Sequence, residues 1–151
     1  MFEPKTYSFE QIGVVRRPGG EEHVEWNDLQ SESKIELNPK YVEALDGLEE
    51  YSHIIIFFVF HKRTEKKLKI HPEERDDMPE VGVFCTNSYT RPNPIAMSVV
   101  KIKNIDKNVI TIIGLDALDG TPVIDIKPFN GFDYEGKGHK IPDWLKKLWE
   151  E

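Results

Sequence analysis

Apolar positions fall into short runs broken by Gly, Pro, Asn and Asp, and the pattern predicts a mostly-β chain. The predicted strands are Glu10–Arg16, Ser33–Leu37, Ile54–Phe60, Val81–Cys85, Met97–Ile105, Val109–Ile113 and Val123–Lys127. In Val100-Lys101-Ile102-Lys103 and in Ile124-Asp125-Ile126-Lys127, apolar and charged side chains alternate, as they do on a strand with one wet face. Ile54–Phe60 has no polar face, which predicts a central strand. Asp106-Lys107-Asn108 is a tight hairpin connection between two such runs.

Two short helices interrupt the β pattern. Asn38 followed by Pro39 makes an N-cap with proline at the first helical position; Tyr41, Val42 and Leu45 form its apolar stripe, and Gly47 ends it. From about Pro142 a second helix places Trp144, Leu145, Leu148 and Trp149 on one face. A helix this short needs a surface to dock on, either its own domain or a second subunit. Together these elements predict a single domain over residues 1–151, a small β-barrel-like fold with two helices.

Composition narrows the function. With 151 residues and a net charge of −7, the chain is an acidic, domain-sized protein in which sequence-blind binding to duplex nucleic acid is not expected. The charge is segregated, however. Lys62 to Lys69 holds five basic residues and one acidic, whereas Glu73 to Glu80 holds five acidic and one basic. The basic run is either a solvated loop or a lip beside a site. No apolar run reaches the roughly 20 residues of a membrane span, and Met1 to Tyr7 lacks the pattern of a signal peptide. Cys85 is the only cysteine, which fits a reducing compartment such as the cytoplasm. Five histidines without HxH, HExxH or CxxC spacing give no metal site, and Gly-rich phosphate and dinucleotide fingerprints are missing as well.

Three stretches could carry chemistry. In Thr86-Asn87-Ser88-Tyr89-Thr90-Arg91-Pro92-Asn93-Pro94 the two prolines predict a stiff rod that holds Asn87, Ser88, Arg91 and Asn93 ready for a ligand, or else a rigid strand connector. Asp119-Gly120 is a turn before Pro122, and Asp125 and Lys127 of the following strand share a side. His53 and His61-Lys62 bracket the central strand.

The blocks Ile12-Gly13-Val14-Val15-Arg16, Leu48 to His53, Phe60-His61-Lys62, Val81 to Phe84, Arg91-Pro92-Asn93-Pro94-Ile95 and Leu118 to Pro128 resemble, in order and across nearly the whole chain, the TrmO family, also called TsaA-like or YaeB-like. The resemblance implies a small single-sheeted β-barrel, usually homodimeric. It further implies use of S-adenosyl-L-methionine to methylate the N6 nitrogen of threonylcarbamoyladenosine next to the tRNA anticodon. It places cofactor contacts at His61, Lys62, Met97, Asp119, Gly120, Thr121 and Pro122; Asn87, Arg91 and Asn93 complete the expected set. The cofactor is thus expected among the His61-Lys62 strand end, the Arg91–Met97 rod and the Asp119–Pro122 turn.

Asp125 and His61 are the candidate proton acceptors, and Arg63, Lys66, Lys67 and Lys69 the candidate RNA contacts. Two departures from the family pattern stand out. Asn87 replaces a usual arginine, and Arg17–Leu29 has no counterpart of a Pro-Arg-Gln segment. A small-molecule or other nucleoside acceptor, or a non-catalytic cofactor-binding module, are the competing readings.

Overall fold

Eight strands carry the architecture of the computed structural model, which describes residues 1–20, 30–131, 138 and 140–150. They are β1 (Gly13–Arg16), β2 (Glu32–Leu37), β3 (His53–Val59), β4 (Lys69–Ile70), β5 (Val81–Gly82), β6 (Ile95–Asp106), β7 (Val109–Ile113) and β8 (Pro122–Pro128). Six of them close into an antiparallel barrel in the order β1-β2-β7-β6-β3-β8, with β8 pairing back to β1. The described chain forms two compact units, Met1–His61 with Ile95–Phe129, and Lys62–Pro94 with Asn130–Glu151. The barrel belongs to the first.

Alternation builds the barrel interior. Val15, Ile35, Leu37, Ile54, Ile56, Phe58, Val100, Ile110, Ile112 and Val123 pack into one cluster, joined by Leu115 and Ala117 from the β7–β8 connection. Burying large aliphatic side chains at about 1.5–3 kcal/mol each is the main favourable term. β3 is buried on its other face at Ile55 too, which is why it lacks a polar face. In a closed barrel every strand is central, so the expected special position of β3 reduces to burial on both sides. Register shifts between Phe57 and Phe58 against β8, and between Ile102 and Asn104 against β7, bend the strands as closure requires.

The expected hairpin joins β6 to β7. Lys107 takes a φ of 54°, and Asn108 anchors the turn by donating Nδ2–H to Leu37 O at 2.8 Å. The element after Asn38 is a 3-10 helix, Pro39–Leu45, whose first turn is capped by Asn38 Oδ1 accepting from Lys40 N at 3.1 Å. Asp46, not Gly47, is its C-cap; Gly47, at φ 86°, opens the next short turn, Leu48–Glu50.

The second unit holds β4 and β5, paired as Lys69↔Gly82 and Ile70↔Val81, and the α-helix α1 (Asp143–Trp149). One predicted strand is corrected here: Val81–Cys85 is extended only at Val81–Gly82, and Val83–Cys85 is a 3-10 turn. The cause is local. Thr86 donates both its backbone N–H and its hydroxyl to Val83 O, at 3.1 and 2.9 Å, and so closes the turn. On α1, Trp144, Leu145 and Leu148 are half-buried and Trp149 is 64% exposed.

Candidate functional site

The end of β3 and the turn before β8 meet at one place on the barrel. Phe60 joins the core and meets Phe58 edge-to-face at 5.9 Å, so the next side chain, His61, turns outward. Facing it is the turn before β8. Gly120 takes a φ of 79°, a left-handed conformation that glycine adopts without steric cost, and a Cβ there would lie 4.0 Å from His61 Nε2.

The turn is laced to β1. Gly120 N donates to Val15 O at 2.8 Å, Val15 N to Thr121 O at 2.9 Å, and Asp119 N to Gly20 O at 2.8 Å. Asp119 Oδ1 accepts from Arg17 N at 2.6 Å, so one carboxylate oxygen serves the fold. Thr121 is buried, and Pro122 starts β8. The structure therefore brings His61 beside the turn that carries Asp119, Gly120, Thr121 and Pro122.

Met97 and Asp125 stand elsewhere on the barrel wall. Both lie opposite Phe57, on β6 and β8 respectively. Met97 is 54% exposed. Asp125 Oδ2 is ion-paired with Lys127 Nζ at 3.1 Å, and its Oδ1 accepts from Ile126 N. His61 is four residues beyond Phe57, about 13 Å at the rise of a strand. The two candidate proton acceptors thus stand at different heights.

In the second unit, the segment expected to be a rod is a folded loop of bends and a turn. Its side chains brace it. Arg91 donates Nη1–H to Thr86 O at 2.8 Å and Ser88 O at 3.3 Å, Ser88 and Thr90 share a hydroxyl contact at 3.0 Å, and Thr90 is buried. Asn87 and Asn93 are exposed. The basic run is tied to this loop. Lys66 Nζ donates to Pro92 O at 2.6 Å, Lys67 N to Thr90 O at 2.9 Å, and the Arg63 guanidinium lies 4.7 Å from the Tyr89 ring centre.

Acidic neighbours soften that basic character. Lys67 Nζ is 3.1 Å from Glu65, whose hydrogen bond raises the lysine's pKa, and Lys69 is 4.0 Å from Glu80. Lys62 is exposed at the start of the run. Arg75, bonded to Asp77 at 2.6 and 2.9 Å, holds that carboxyl down to about 2. Among the described residues no three His, Cys, Asp or Glu side chains are placed to share a metal ion, and no helix is long and apolar enough to cross a membrane.

One residue of this barrel end escaped the sequence reading. Arg17 is only 7% exposed. Its signal was the alternation of β1, in which Val15 points inward, Arg16 outward to Glu36 at 3.1 Å, and Arg17 inward again. The rest of the divergent segment, residues 21–29, lies outside the described residues.

Comparison with known proteins places these features among relatives. Residues 25–133 match the tRNA-methyltransferase O N-terminal domain. A probable S-adenosyl-L-methionine-binding protein of Methanocaldococcus jannaschii is 46% identical over 130 residues, covering 82% of this chain and 93% of its own. A tRNA (adenine(37)-N6)-methyltransferase of Escherichia coli is 37% identical over 139 residues, covering 84% of this chain and 59% of its own. A putative S-adenosylmethionine-dependent methyltransferase of Pseudomonas aeruginosa is 43% identical over 99 residues, covering 63% of this chain. The chain spans 43% of that relative's length. The crystal structure of TrmO from Pseudomonas aeruginosa superposes with a TM-score of 0.71 at 30% identity, over 90% of this chain and 62% of the other.

Proposed function

The chain belongs to the tRNA-methyltransferase O family, and from that membership we propose that it transfers a methyl group from S-adenosylmethionine to the N6 nitrogen of threonylcarbamoyladenosine beside the tRNA anticodon. The observation that carries this reading is the barrel end where the Asp119–Pro122 turn, laced to β1, stands against His61. The missing Cβ of Gly120 leaves backbone and imidazole accessible to one ligand, and the hydrogen bonds to Val15 and Gly20 hold the turn before anything binds. Asp119, Gly120, Thr121 and Pro122 would hold the cofactor there. When bound, S-adenosylmethionine supplies a methyl group already activated on a sulfonium.

The chain's own task is positioning, which can contribute on the order of 7–11 kcal/mol, and removal of one proton. The acceptor nitrogen is a weak nucleophile, so its N–H must be given up as the new N–C bond forms. His61, at the strand end, takes that proton. Arg63, Lys66, Lys67 and Lys69 contact tRNA phosphates, with Arg63 already stacked on Tyr89 and Lys66 braced on the loop carbonyl of Pro92.

The protein works on tRNA in the cytoplasm and as a homodimer, with the exposed Trp149 edge of α1 against the second copy. A monomer mass by light scattering at micromolar concentration would remove the dimer. The activity is tested by incubating the protein with labelled S-adenosylmethionine and total tRNA and then analysing the nucleosides. Label in N6-methylated threonylcarbamoyladenosine is expected; bound cofactor with no label in any nucleoside would overturn the RNA substrate.

A further inference from the structure

The barrel holds a buried cation that methyl transfer as described above does not use. Arg17, one residue past β1, donates Nη2–H to Ser31 Oγ, and among the described residues no carboxylate pairs with its guanidinium. Asp119 bonds its backbone N–H instead. A guanidinium has five N–H donors, and a buried charge is ordinarily met by an anion. A second orphan lies beside it. Ser33 is 3% exposed, and among the described residues its hydroxyl has no hydrogen-bond partner. Arg16 pairs with Lys34, and Arg17 and Ser33, the residues next to that last pair, are buried as Val15 and Ile35 are.

The local backbone is shaped to keep Arg17 there. Gly20 N donates to Arg17 O at 2.9 Å, and a Cβ on Gly20 would fall 2.5 Å from Arg17 Cδ and 2.7 Å from Cγ. Only glycine lets the chain close over the arginine stem. We propose that Arg17, Ser31 and Ser33 form a subsite for the carboxylate of an amino-acid moiety.

Charge and shape select that group. One guanidinium neutralises one monoanion, and its planar fork matches two coplanar oxygens. A phosphate dianion would remain half-compensated, because Arg16 is engaged by Glu36 and Lys34 is on the exposed face. Ser31 is half-buried and marks the side from which the carboxylate enters. The inference rests on the function proposed above, in which two molecules carry such a group: the methionyl end of the cofactor and the threonyl group of the acceptor nucleoside.

Calorimetry on the full chain separates the sources. S-adenosylhomocysteine is compared with its decarboxylated counterpart, and N6-threonylcarbamoyladenosine with the nucleoside lacking the carboxylate, each on wild type and on Arg17→Met. One pair should show a preference of roughly 10- to 100-fold for the carboxylate on wild type. That preference should vanish in Arg17→Met, while the decarboxylated ligand binds both proteins alike. Without ligand, Arg17→Met should melt no lower than wild type, since it removes a buried charge that no carboxylate among the described residues compensates. A lower melting temperature with an unchanged carboxylate preference would make Arg17 structural and overturn the subsite. Equal binding of acid and decarboxylated ligand in both pairs on wild type overturns it too, whether or not Arg17→Met folds, and leaves methyl transfer standing. If wild type binds neither S-adenosylhomocysteine nor the nucleoside, the proposed function fails and the subsite with it.

Discussion

Replacing Asp119 by Ala and, separately, by Asn tests whether the turn before β8 is held by one side-chain oxygen. Asp119 Oδ1 accepts the Arg17 N–H at 2.6 Å, across a sequence separation of 102 residues. Alanine leaves that N–H without its acceptor in a half-buried place, at a cost of about 1–3 kcal/mol. Asparagine keeps an oxygen at the same position and loses only the charge assistance, so it should cost less than about 1 kcal/mol. With a urea m-value of about 1–3 kcal/mol per molar, the difference moves the unfolding midpoint by roughly 0.5–1 M at constant slope. Urea titrations followed by tryptophan fluorescence measure it. If the two variants are equally destabilised, the negative charge and not the hydrogen bond holds the turn, and the reasoning is wrong.

Gly120→Ala forces a side chain into φ 79°, so it should cost about 1–2 kcal/mol and lower the melting temperature by a few degrees. It should also weaken S-adenosylhomocysteine binding, because the added methyl stands 4.0 Å from His61 Nε2; unchanged affinity by calorimetry would move the cofactor away from this turn. A Lys66→Glu, Lys67→Glu, Lys69→Glu variant should lose tRNA methylation while keeping cofactor affinity, and wild-type tRNA binding should fall steeply with salt; methylation at the wild-type rate would reduce the basic run to a solvated surface. Asp77 should titrate near 2 by NMR and move up toward 3.8 in Arg75→Ala. Its depressed value means that any stability from the pair is present above pH 4 and fades as pH falls toward 2.

What could be read beforehand was local. The β6–β7 hairpin, the Asn38 cap and the Asp119-Gly120 turn each depend on a few adjacent residues, and each is found where expected. Val83–Cys85 looked extended because its turn is closed by the Thr86 hydroxyl, which residue propensity does not register. The two-residue β4 is too short to carry a pattern. Arg91 looked ready for a ligand, yet its guanidinium braces its own loop, a use that only tertiary geometry reveals. Arg17 was hidden by its chemistry. A charged residue reads as surface, and its inward position followed only from continuing the alternation of Val15 one rung further.

β8 sits between β1 and β3, and in sequence it is the last of the six barrel strands. Until it is in place, β1-β2-β7-β6-β3 is an open sheet with two unpaired borders, the kind of surface on which nascent chains aggregate. On the ribosome, Gly13 must wait for Val123 before the ring can shut. Folding is accordingly dominated by non-local pairing and slow for the chain's size. The strand that follows the Asp119–Pro122 turn beside His61 is also the one that seals the barrel, so a stalled or shortened product that lacks it has neither that turn in place nor protected edges.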